Sequence, residues 1–126
     1  MIRTLSTVII QILFFNSLAF GFCQEQYDKE IFKLREGLKT MGTSPAKTQV
    51  FKRMSSLKAV RDVLEDIDRN NALGTATRSF SQVADVNPRT LQNIIRLANK
   101  RNDLCSNGVL LDQTEITELI KSGKLL

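Results

Sequence analysis

From Pro45 to Leu73 the chain holds no glycine and, after Pro45 itself, no proline. Across that stretch apolar residues recur at Val50, Phe51, Met54, Leu57, Val60, Leu64 and Ile67, in steps that line one side of an α-helix. A run this long without a breaker predicts a helix from Pro45 to near Asn70. A helix of that length buries its stripe only by packing on more than one neighbour, or on a second copy of itself.

The rest of the chain repeats the pattern on a smaller scale. Tyr27, Ile31, Leu34, Leu38 and Met41 form a stripe that predicts a helix over 27–41, with Gly42 as its stop. Ser44 and Pro45 suit the cap and first position of the long helix. The segment from Gly74 to Val86 reads as a weaker helix, with Phe80, Val83 and Ala84 inward and Thr75, Thr77, Ser79 and Ser81 as poor helix formers. Asn87-Pro88 opens another helix, ending by about Asn102, whose inner face is Leu91, Ile94, Ile95 and Ala98. Ser106-Asn107-Gly108 is a turn, and its flanks pair as a tiny β-hairpin or run extended over the helices. Asp112 and Glu115 have capping-box spacing at the head of a last helix, where Ile116, Leu119 and Ile120 face in and Gly123 ends it. The fold class expected is all-α: one small antiparallel bundle of four to five helices, joined by short linkers.

The first two dozen residues are different in kind. Arg3 precedes an apolar core, Val8-Ile9-Ile10-Gln11-Ile12-Leu13-Phe14-Phe15, and small residues follow at Ser17, Ala19 and Gly21. That layout is a secretory signal peptide, and the polar interruptions at Gln11 and Asn16 make the run too short for a membrane span. Ala19-Phe20-Gly21 and Gly21-Phe22-Cys23 both place small residues where a signal peptidase needs them. The second falls where the charged segment starts, and it divides the chain into a signal peptide, 1–23, and a secreted domain, 24–126. Removal of Arg3 takes the net charge from +5 to +4. Only Tyr27, Phe32, Phe51 and Phe80 remain as aromatics, so the core must be largely aliphatic.

The cut also decides the chemistry of the two cysteines, Cys23 and Cys105. If Cys23 leaves, Cys105 is an odd thiol in an oxidising compartment, bridging a homodimer or buried as a free thiol. If Cys23 stays, a Cys23–Cys105 disulfide tethers the start of the domain to its last third.

Little in the sequence supports catalysis. Histidine is absent, which removes the commonest general base and metal ligand together. Ser55 and Lys58 have a Ser-x-x-Lys spacing but none of the companion motifs of the enzymes that use it. Asp66-Ile67-Asp68-Arg69-Asn70-Asn71 resembles the first half of an EF-hand loop, yet Asn71 stands at the glycine position and Thr77 at the bidentate glutamate. No cofactor or metal is expected. Basic residues fall in two groups: Lys47, Lys52, Arg53, Lys58 and Arg61, then Arg89, Arg96, Lys100 and Arg101, the second being the candidate polyanion contacts. Aromatics are not interleaved with them, so nucleic acid is not an expected partner. The stripe Tyr27, Ile31, Leu34, Leu38 and Met41 is core by default and a candidate partner-binding seam otherwise.

These features describe a small secreted, non-enzymatic protein that acts by binding a protein partner, in the manner of an effector or a humoral, salivary, venom or seminal-fluid factor. The alternative is a secreted carrier, or a protein that binds membrane or polyanion surfaces, built on an apolar helical core. No stable membrane insertion is expected once the leader is removed.

Overall fold

The computed structural model describes residues 22–125; residues 1–21, which hold nearly all of the expected leader, lie outside them. The described chain forms five α-helices: α1 (Phe22–Thr40), α2 (Pro45–Asp68), α3 (Thr75–Ala84), α4 (Pro88–Lys100) and α5 (Gln113–Lys121). A kinked 3₁₀ segment, Asp103–Gly108, joins α4 to α5. The protein is all-helical, and no strand occurs among the described residues.

Local chemistry explains most of the boundaries. The Ser44 hydroxyl accepts from the Lys47 amide at 3.2 Å, with Pro45 in the first turn, and α2 begins there. Asn87 caps α4 through the Arg89 amide at 2.9 Å. Asp112 and Glu115 form a complete capping box on α5: the Asp112 carboxylate accepts from the Glu115 amide at 2.9 Å, and the Glu115 carboxylate accepts from the Asp112 amide at 3.1 Å. At the far end of α2, Asn70 and Asn71 both take the left-handed conformation, with φ of 59° each, and stop the helix.

Two expectations are corrected. Helix α1 starts at Phe22, not near Tyr27, because Cys23 lies one turn before Tyr27 and extends the buried stripe backward. The segment around Ser106-Asn107-Gly108 is no β-hairpin. Asn107 and Gly108 turn the chain with φ of 56° and 76°, and Leu111 donates to the Leu104 carbonyl at 2.9 Å to close the loop.

Helix α2 is the axis. It touches α1, α3, α4 and α5, so its length is used by several neighbours within one chain. The short loop after α1 folds α2 back antiparallel, and Arg61 late in α2 donates to Asp28 early in α1 at 2.8 Å. Leu57, Val60, Val63 and Leu64 from α2 meet Tyr27 and Ile31 from α1, Phe80 and Ala84 from α3, Leu91, Ile94, Ile95 and Ala98 from α4, and Ile116 from α5. The core is aliphatic apart from Tyr27, Phe80 and the two cysteines, Cys23 and Cys105. Phe51 and Val83, read from the sequence as inward-facing, are 56% and 57% exposed. Each sits beside an apolar neighbour, Val50 and Ala84, that is less exposed and takes the inner place at that turn.

The loop between α2 and α3 is braced from α4: Gln92, fully buried, donates to the Ala72 carbonyl at 3.0 Å, and Arg96 donates to the Asn71 side-chain oxygen at 2.9 Å. The start of α3 has no cap of its own, since Gly74 has no side chain. Asp66 on α2 supplies one, accepting from the Thr77 amide at 2.8 Å and the Thr77 hydroxyl at 2.7 Å. This is what the EF-hand-like run does: its first carboxylate is committed to a helix end. Gly74 is required by proximity rather than by backbone conformation, because a Cβ there would lie 2.5 Å from the carboxyl carbon of Asp66. Gly74→Ala should therefore displace the cap and cost about 1–2 kcal/mol, as should Asp66→Ala. Denaturant unfolding of both variants and their double mutant checks this. Because both remove one interaction, the double mutant should cost clearly less than the sum; an additive result would contradict the shared cap.

Candidate functional site

A partly buried polar cluster lies where α1 meets the segment between α4 and α5. Cys23 and Tyr27, one helical turn apart, are both fully buried. Cys23 is disulfide-bonded to Cys105, 82 residues away, with Cα atoms 5.5 Å apart. The Tyr27 phenol faces two carbonyls, Leu104 at 3.2 Å and Leu111, and donates its single proton between them. Arg53 of α2 closes the arrangement from the side. One of its terminal nitrogens donates to Asp112 and Glu115 at 2.7 Å each, and the other to the Leu110 carbonyl at 2.9 Å. The capping box of α5 is thus also an anion site for α2.

Electrostatics follow from burial. Desolvation pushes the Tyr27 phenol well above its ordinary value, reinforced by Glu115 and Asp112 against the opposing pull of Arg53. Burial alone would lower the Arg53 pKa, but hydrogen bonds to Glu115 and Asp112 outweigh it and hold the guanidinium charged. Arg61 is likewise held charged, chiefly by its hydrogen bond to Asp28. The tyrosine, the arginine and both carboxylates are all occupied in fixing backbone, which makes this cluster a clamp. In the chain-entropy picture a disulfide closing so long a loop is worth about 4 kcal/mol.

The clamp corrects the reading of Cys105. It is neither a free thiol nor available to bridge two chains, because its partner is Cys23 of the same chain. A homodimer through Cys105 is therefore not supported.

The candidate seam on α1 divides. Tyr27 and Ile31 are in the core, Leu34 packs against its edge, and Leu38 and Met41 are half-buried beyond it. The candidate polyanion contacts divide as well. Arg96 is turned onto Asn71 and Asn93, and Arg101 pairs with Asp103 at 2.9 Å, while Arg89 and Lys100 are exposed. Of the other basic group, Arg53 and Arg61 are taken by carboxylates; Lys52 and Lys58 are exposed and Lys47 is half-buried. Ser55 and Lys58 are exposed on α2. Among the described residues, no group of three or more cysteines and carboxylates is placed to hold a metal ion.

The surface that sequence reasoning missed is the outer half of the α1–α2 helical hairpin. No residue between Ile31 and Leu57 is buried. Phe32 and Phe51 stand 61% and 56% exposed there. Residues 29–58 carry eight cations against two acids, whereas 22–28 and 59–126 together carry nine against eleven. Its α2 half, Lys47, Lys52 and Lys58, stood in the sequence as one basic group, but the imbalance it forms with Lys29, Lys33, Arg35 and Lys39 lay across the boundary of two helices. Comparison with protein-family models, curated proteins and solved structures gave no match for this chain.

Tyr27 is the only tyrosine and tryptophan is absent, so absorbance near 295 nm reads this phenol alone. Its folded pKa lies above the unfolded value of 10.0. The stabilisation linked to the phenol is therefore complete below about pH 10 and is lost as the pH climbs above it. The native protein should show no tyrosinate signal at pH 10 while the denatured chain is half-titrated there; an identical titration in both states would contradict the buried clamp. Tyr27→Phe, which leaves the Leu111 carbonyl without its donor, should cost about 1–3 kcal/mol by denaturant unfolding.

Proposed function

We propose that this is an exported protein that acts by binding through its surface and not by catalysis, with the outer half of the α1–α2 hairpin as the binding face. The observation that carries the reading is the contrast between clamp and hairpin. Buried polar groups at the clamp are spent on holding segments together, while the hairpin leaves two phenylalanines and most of its own cationic side chains facing outward. Aromatic side chains are enriched at recognition surfaces, and two of them are exposed on this one face.

Export is supported by the disulfide, which persists in oxidising compartments and is rare elsewhere. It also bears on the leader. A cut after Cys23 would discard a fully buried residue and leave Cys105 without its partner, whereas a cut after Gly21 keeps both. The proposal is that processing falls between Gly21 and Phe22 and that the mature chain starts at the first residue of α1. The carrier alternative draws no support from the interior, where the buried residues form one contiguous cluster spanning all five helices.

N-terminal sequencing and intact mass of the exported product test this together. The expected product begins at Phe22, is lighter than its reduced form by the two hydrogens of one disulfide, and runs as a monomer without reductant. A product that begins at Gln24 or retains the leader inside the cell would contradict it, as would a reducible dimer.

A further inference from the structure

We propose that the exposed face of the α1–α2 hairpin adsorbs to an anionic lipid surface, with Phe32 and Phe51 entering the interface and Arg35, Lys47 and Lys58 set over the headgroups. This rests on the reading of the hairpin as the binding face and names what covers it.

Helical spacing places these residues together. Phe32, Arg35 and Lys39 follow steps of three and four along α1. Lys47, Phe51, Ser55 and Lys58 follow steps of four, four and three along α2. Phe32, Arg35 and Lys58 border one groove between the helices, so the two stripes open on the same side of the hairpin. The acids near this face are engaged: Glu36 pairs with Lys39 at 2.9 Å, and Asp28 and Asp62 at the base of the groove both pair with Arg61. What remains outward is cationic and aromatic.

Three kinds of occupant use positive charge, and the two phenylalanines separate them. A sulphated saccharide or another fully polar polyanion would engage the lysines and leave both rings in water. A protein partner would seat its anchoring side chains in a desolvated pocket. The groove here, about 360 Å³, is lined mainly by charged residues, with Ile31 and Phe32 its only apolar members. An anionic membrane surface needs no pocket. It takes exposed aromatic rings into the acyl boundary and long cationic side chains at the headgroup level, which is the composition of this face. Adsorption is peripheral, since no described helix is long and apolar enough to cross a membrane.

Co-sedimentation of the disulfide-bonded protein with vesicles provides the test. Vesicles of equal parts phosphatidylcholine and phosphatidylserine should pellet the protein, and pure phosphatidylcholine should bind it at least about tenfold more weakly. Phe32→Ser with Phe51→Ser should weaken binding to the mixed vesicles by roughly tenfold or more. Both rings are more than half exposed, so the variant keeps its fold, and an unchanged Tyr27 absorbance titration verifies that. Arg78→Ser, on α3 outside the hairpin, should bind as the parent does. The proposal is overturned by absence of pelleting with the mixed vesicles, by equal binding to pure phosphatidylcholine, or by a double phenylalanine variant that binds as well as the parent. Retention on heparin with no vesicle binding overturns it in favour of a polar polyanion. None of these outcomes touches the cleavage site or the disulfide, so failure here is distinguishable from failure of the exported-binder reading.

Discussion

The attachment of α1 to the segment between α4 and α5 is the constraint on which the rest of this structure depends. Cys23 and Tyr27 occupy successive turns of one helix and reach the same short stretch, Leu104 to Leu111, one by a covalent bond and one by a phenol between two carbonyls. Without that attachment α1 would meet the body mainly along α2. A helix packed on a single neighbour buries one narrow stripe, which is marginal against the entropy of ordering its residues. The clamp thus turns a two-helix extension into part of the core, and Arg53 ties the same place to α5.

Fixing one end of the hairpin leaves the other free to differ. Toward the clamp, α1 and α2 contribute Tyr27, Ile31, Leu57 and Val60 to the interior. Away from it, apolar side chains are at best half-covered and the charge is predominantly positive. Like charges concentrated on one projection repel, and acids distributed near them would relieve this at little cost. Two acids against the seven cations left once Arg53 is committed to the clamp leave most of that repulsion in place, which is the imbalance expected of a surface kept for an anionic counterpart.

How much of this could be read in the sequence depends on the range of each interaction. Caps at Ser44, Asn87 and Asp112 are local, made within three residues, and the helix starts they mark were legible. The inner faces of α2 and α4 were legible through their period, except where two apolar residues stood side by side and Phe51 turned outward. The remote cap from Asp66 to Thr77 spans 11 residues and resembled a metal loop instead, because a carboxylate that serves a distant helix end carries no pattern of its own. The partners of Tyr27 lie 77 and 84 residues away, and the phenol looked like one more member of an apolar stripe. Cys23 was obscured differently: it sits where the leader ends, and the rise in charge at Gln24 made it look expendable.

If the clamp is what makes α1 part of the folded body, its amides should exchange with solvent as slowly as those of the central α2 helix, and only while the disulfide is intact. Native-state hydrogen exchange of the oxidised and reduced protein measures this directly. Reduction should bring the exchange of residues 26–31 sharply forward while residues 57–64 of α2 keep most of their protection. Protection of 26–31 that is unaltered by reduction would mean that α1 is held by its packing on α2 alone, and the central role assigned to the clamp would be lost.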